Sequence, residues 1–98
     1  TKICGGGAKS PLWKKMIANI LNIKVDVIES EEGPALGGAM LAAVANGEFA
    51  SVEEAAAKIV KVIDTVEPEP ELAAKYEEKY QKFVKIYPAV KDLFNEII

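Results

Sequence analysis

Three consecutive glycines, Gly5-Gly6-Gly7, followed by Ala8-Lys9-Ser10, restrict what this chain can build more than any other stretch of it. They lie between a short β-branched lead-in, Thr1 to Cys4, and a run from Ser10 onwards whose apolar residues recur at helical spacing. Strand, glycine turn and helix, in that order, form a scaffold that can hold nucleotide phosphate or ribose. Backbone without a Cβ passes where a side chain would strike a ligand or a neighbouring element. The helix after the turn points its free N–H groups and partial positive charge towards the same spot.

Ser10-Pro11 suits a helix start, because Ser accepts from free N–H groups and Pro fits the first helical position. Leu12, Trp13, Met16, Ile17, Ile20 and Leu21 make one apolar face, which places Trp13 and Met16 in the expected core. Lys14, Lys15 and Asn19 lie mostly off that face. Cys4 reads as a small buried hydrophobe. Asn22 ends the helix, and Lys24 to Glu29 comes next as a second strand. Strand, helix and strand in close succession make a βαβ unit with parallel strands and a right-handed crossover. The glycine turn then sits at the C-terminal end of the first strand, the edge at which open α/β sheets bind ligands.

A second helix runs from Pro34 to Asn46 and stops at Gly47. Gly37 and Gly38 inside it each cost roughly 1 kcal/mol relative to alanine, so something is expected to approach closely there, either packing elements or a ligand ring. Ser51-Val52-Glu53-Glu54 is a capping box that opens a third helix, with Val52, Ala55, Ala56, Ile59, Val60 and Ile63 on its apolar side. Asp64 to Pro70 reads as an extended surface connector because of Pro68 and Pro70. Glu71 to Ile98 is helical in pattern, broken or restarted at Pro88, with i,i+4 pairs Glu71–Lys75 and Glu78–Lys82. Leu72, Tyr76, Tyr80, Phe83 and Tyr87 form a stripe expected to dock against other protein.

Composition excludes several classes. A net charge of -3 without a basic cluster argues against nucleic acid as a partner. The apolar runs are too short and too interrupted for a membrane partner. A chain without histidine cannot build a Ser-His-Asp site alone and lacks the commonest zinc ligand. The single cysteine fits a reducing, cytoplasmic setting. With 98 residues there is room for one small domain. A two-strand piece would leave open sheet edges and an uncovered face, so the expectation is a C-terminal portion of a longer protein that self-associates when isolated.

The Lys-Ser ending of the turn invites a P-loop reading, but that pattern needs glycine where Ala8 and Ile3 stand. The dinucleotide fingerprint G-x-G-x-x-G, counted from Gly5, needs glycine where Ser10 stands. Spacing alone leaves two alternatives, a nucleotide-binding βα turn and a plain structural turn.

Gly5-Gly6-Gly7-Ala8-Lys9-Ser10-Pro11-Leu12-Trp13-Lys14-Lys15-Met16, with Glu32-Gly33-Pro34-Ala35-Leu36-Gly37-Gly38-Ala39 after it, resembles the C-terminal end of the FGGY carbohydrate kinases, with the xylulose kinases as the nearest subgroup. The tail from Glu67 to Phe94, with Tyr87-Pro88, is similar to that subgroup too, so the resemblance covers nearly the whole chain. It implies an α/β fold, a βαβ unit followed by helices, from an actin-like, ribonuclease H-like ATPase domain. Residues 1–98 would then be the C-terminal part of the second kinase domain, on its adenosine-binding side, with the sugar-binding domain elsewhere.

The implied activity of the parent is transfer of the γ-phosphate of ATP, with Mg2+, to a sugar hydroxyl, D-xylulose being the subgroup's substrate. The residues implied to bind nucleotide are Gly5, Gly6, Gly7 and Ala8, with no catalytic residue and no metal ligand in this chain, which is expected to be inactive alone. Lys15 stands where the subgroup often has Gln, and Asn19 where it often has Asp, so neither carries a base-specific role. The competing class is a non-enzymatic interaction module.

Overall fold

A computed structural model describes all 98 residues. The first strand, β1 (Lys2–Ile3), leads into a 3₁₀ turn over Gly6–Lys9, and α1 (Pro11–Leu21) returns the chain to β2 (Val25–Ile28). β1 and β2 are parallel, with Lys2 opposite Asp26 and Ile3 opposite Val27, as a βαβ unit requires. Ser10 caps α1 by accepting from the Trp13 N–H at 3.2 Å, and Pro11 holds the first helical position. Asn22 closes the helix in the left-handed conformation (φ 52°), which asparagine tolerates better than most residues.

Next come α2 (Gly33–Ala45), α3 (Val52–Ile59) and a third strand, β3 (Val62–Val66). This strand corrects the expectation that Ile63 ends a helix and that Asp64 begins a connector. β3 pairs antiparallel with β2, which becomes the centre of a mixed sheet of order β1-β2-β3. The free edge of β2 outcompetes the helical spacing of Val60 and Ile63, and the β-branched run Val62, Ile63, Thr65 and Val66 suits the pleat. The pairing slips between Val27, opposite Asp64, and Ile28, opposite Val62. The extra residue, Ile63, is thereby re-aimed at the end of the sheet nearest the glycine turn.

Two helices complete the chain, α4 (Pro70–Phe83) and α5 (Ile86–Ile97). The break between them falls at Val84–Lys85, not at Pro88. Pro88 sits in the first turn of α5, where its missing N–H costs nothing. Glu78–Lys82 closes at 2.8 Å, whereas Glu71–Lys75 does not form an ion pair.

The core is small: α1 lies on one face of β2, and α4 packs against α1. Val25 and Val27 are buried there together with Ala18 and Ala73, while Asp26 and Ile28 point to the other face, the alternation a half-covered strand demands. Trp13 is not in this core. It is half exposed, as are Ile20 and Leu21, and Leu12 is more open still. The contact is made instead by Ala18, whose small side chain lets α1 approach the sheet, and by Asn19 beside it. Asn19 is 3% exposed, and its Oδ1 accepts from the Glu69 N–H at 2.6 Å, tying α1 to the start of α4 across fifty residues of chain.

The radius of gyration is 18.9 Å, against about 13 Å for a compact chain of this length. The accessible surface is 7414 Å², where a folded monomer of this mass exposes about 5,500 Å². Much of the excess is apolar, with Phe83, Tyr87 and Ile97 all largely exposed on α4 and α5.

The cap of α3 is formed on both sides, with Ser51 Oγ accepting from the Glu54 N–H at 3.1 Å and Glu54 Oε2 accepting from the Ala50 N–H at 2.9 Å. Ser51→Ala is expected to cost about 1 kcal/mol, read as roughly fivefold faster amide hydrogen exchange in the first turn of α3. Unchanged exchange at Glu54 and Ala55 would contradict it.

Candidate functional site

β1 and β2 run parallel and end together, and the chain leaves each through a short loop, so the two loops face one another at the C-terminal edge of the sheet. Between them lies a cleft of about 270 Å³. Cys4, Gly5, Ala8 and Lys9 wall one side, Glu29, Ser30 and Glu31 the other, and Ile63 and Asp64 close the end. The location is the one expected for a βα ligand turn.

The four residues assigned to nucleotide take three different positions. Gly5 and Ala8 line the cleft itself. Gly5 adopts φ 87°, a conformation that favours glycine, and its carbonyl accepts from the Ala8 N–H at 3.1 Å to close the turn. Gly6 stands at the outer bend, and a Cβ there would meet nothing within 4 Å. Gly7 faces the other way. A Cβ on it would lie 2.9 Å from Cδ1 and Nε1 of Trp13, so the absence of a side chain at Gly7 is explained by the indole packed over it. The N–H groups of Gly6 and Gly7 find no backbone acceptor in the chain, which leaves two donors available at the bend.

Charge limits what the cleft suits. Lys9 and Lys14 bring two positive charges and Glu29, Glu31 and Asp64 three negative ones, a balance of minus one. Lys9 Nζ is 3.1 Å from Glu31 Oε2, and Lys61 Nζ is 3.9 Å from Glu29 Oε2, so the lysine nearest the turn already faces a carboxylate. A phosphate cradle gathers positive charge and backbone donors without carboxylates opposite. This cleft fits the uncharged, hydroxyl-rich part of a ligand better than its phosphates.

Cys4 corrects the sequence expectation. The residue is exposed at the base of the cleft, because β1 is an edge strand only two residues long. Lys14 and Ile63 also line the cleft, though neither carries a sequence signal for it; the bulge that leaves Ile63 unpaired at its edge has no mark in the composition. Asn19 and Lys15 are both absent from the cleft, and Asn19 is spent on the Glu69 N–H. In α2, Cβ atoms on Gly37 and Gly38 would meet no other part of the chain, so no internal packing accounts for these glycines. No three Asp, Glu, His or Cys side chains gather closely enough to hold a metal ion between them. No helix is long and apolar enough to cross a membrane.

Comparison with known proteins adds to this geometry. Residues 2–46 match the C-terminal domain of the FGGY family of carbohydrate kinases. The xylulose kinase of Bacillus subtilis (strain 168) is 40% identical over 89 residues, which are 91% of this chain and 18% of that protein. The ribulokinase of Halalkalibacterium halodurans is 41% identical over 90 residues, covering 86% of this chain and 16% of that protein. Among solved structures, a ligand-bound xylulose kinase from Lactobacillus acidophilus matches 99% of this chain and 20% of its own, with a TM-score of 0.84 at 22% identity, a likeness of fold. The chain spans less than a fifth of the length of these two curated relatives.

Proposed function

Because the chain belongs to the FGGY family of carbohydrate kinases, with the fold of the C-terminal part of its actin-like ATPase domain, we propose that it supplies the adenosine-side wall of the nucleotide site in an ATP-dependent sugar kinase. Residues 1–98 are then the end of the second kinase domain, and Gly5, Gly6, Gly7 and Ala8 hold the nucleotide near ribose and α-phosphate. The observation that carries this reading is the bend at Gly5 and Gly6, open backbone at the C-terminal edge of parallel strands beside a cleft whose charge suits a ribose and not a triphosphate. Gly7 contributes indirectly, by letting Trp13 brace the turn.

Phosphoryl transfer depends on positioning and on charge stabilisation at the reacting phosphate. In this reading the base and the metal ligands for that step come from elsewhere in the kinase. The part of this chain is to fix one end of the nucleotide so that the other end meets the sugar in a reproducible place. The sugar is a ketopentose, D-xylulose in the reading argued from sequence. The xylulose kinase and the ribulokinase are similar in identity here, 40% and 41%, as they should be if the contacts that choose the sugar lie outside this segment. The exposed aromatic and aliphatic residues of α4 and α5 support burial against the rest of that kinase, and self-association of the segment when it is alone.

The test is a coupled assay of the full-length kinase with ATP and Mg2+. ADP release that requires D-xylulose is expected. Release that is independent of any ketopentose, or no release with either D-xylulose or L-ribulose, would overturn the assignment.

A further inference from the structure

The two loops that face each other across the cleft touch at its base. Cys4, at the end of β1, stands against Gly33, the first residue of α2. A Cβ built on Gly33 overlaps the Cys4 sulfur and lies 3.5 Å from the Cys4 Cβ, so the thiol occupies the space that a side chain at position 33 would need. At the outer rim the same two loops meet again through Lys9 Nζ and Glu31 Oε2, 3.1 Å apart. Gly33 does not adopt a left-handed backbone, so turn chemistry does not call for a glycine here. Pro34 after it and the sulfur beside it both crowd a Cβ at this position.

We infer that Cys4 is a positioning residue for the nucleotide: its thiol, seated in the space left by Gly33, sets how closely the start of α2 approaches the glycine turn and so the width of the cleft. The inference rests on the nucleotide reading of that cleft. The pair acts through shape. A larger group at position 33 has to displace either the thiol or the loop of Glu29–Glu32, and removing the sulfur relieves the crowding because the Cys4 Cβ stands at ordinary van der Waals distance.

The test is calorimetry with ADP on the full-length kinase, with thermal melting alongside. Gly33→Ala is expected to weaken ADP binding about tenfold, and Cys4→Ala combined with Gly33→Ala to return to within about threefold of the parent. Recovery in the double variant supports the inference, because loss of a merely useful glycine would not be repaired by trimming Cys4. If Gly33→Ala fails to fold, return of both a folded protein and ADP binding in the double variant supports it equally. Gly33→Ala that binds ADP like the parent, or that melts earlier with unaltered affinity, overturns it. A double variant as weak as Gly33→Ala overturns it too. A parent kinase that binds no ADP overturns the nucleotide reading itself, an outcome distinct from a parent that binds while the double variant fails to recover.

Discussion

Gly6→Leu in the full-length kinase is expected to weaken ADP binding by at least about thirtyfold, or about 2 kcal/mol, with the melting temperature unchanged. The two halves of that expectation come from one observation. A Cβ at Gly6 would meet no atom of this chain, and the backbone there is not left-handed, so leucine is accommodated by the protein alone. Within residues 1–98 nothing else stands in its way. A change at Gly7 lacks this clarity, since its Cβ collides with the Trp13 indole and disturbs the turn directly. Calorimetry with ADP and a melting curve read the two halves separately. Unchanged affinity would make the turn a plain structural one and remove the nucleotide role of Gly5 to Ala8.

Asn19→Leu is expected to have the largest effect away from the cleft. Asn19 is almost fully buried, and its carbonyl oxygen is the acceptor for the Glu69 N–H. Leucine has the same branched outline with more bulk and no acceptor, so the Glu69 amide loses its partner in a part-buried place, at a cost of about 1–3 kcal/mol. Amide exchange through the first turn of α4 should accelerate by roughly fivefold to a hundredfold. Asn19→Asp keeps an acceptor at the same place and should lose less. Equal exchange in all three proteins would show that the contact does not hold α4.

The chain from Thr1 to Ala45 is readable in the sequence because each local signal agrees with the next. Ser10-Pro11 opens α1, Asn22 closes it, and the alternation of Val25 and Val27 with Asp26 and Ile28 marks β2. The chain between Ile59 and Val66 misleads for a physical reason. Val60 and Ile63 extend the helical spacing of α3, and only the unpaired edge of β2, a partner far back in the chain, turns them into the approach to a strand. Helical spacing also misplaces Trp13 and its neighbours. A periodic apolar face says that something covers it, and in α1 only the part near Ala18 is covered by this chain.

At the cleft, the glycine run marks the location but not the division of labour. That Gly5 shapes the turn, Gly6 leaves it open and Gly7 yields to an indole depends on where three Cβ atoms would point. The Cys4–Gly33 contact joins residues distant in the chain and has no sequence signature.

The two glycines inside α2 bear on its rigidity. They make that stretch roughly 2 kcal/mol less helical than alanine would, no residue of α2 is buried, and no neighbour from this chain seats against Gly37 or Gly38. A helix with so little holding it from within owes its order to whatever lies alongside. Stiffness in α2 is therefore conditional on company: a body resting on its bare face tightens it, and departure of that body frees it to fray.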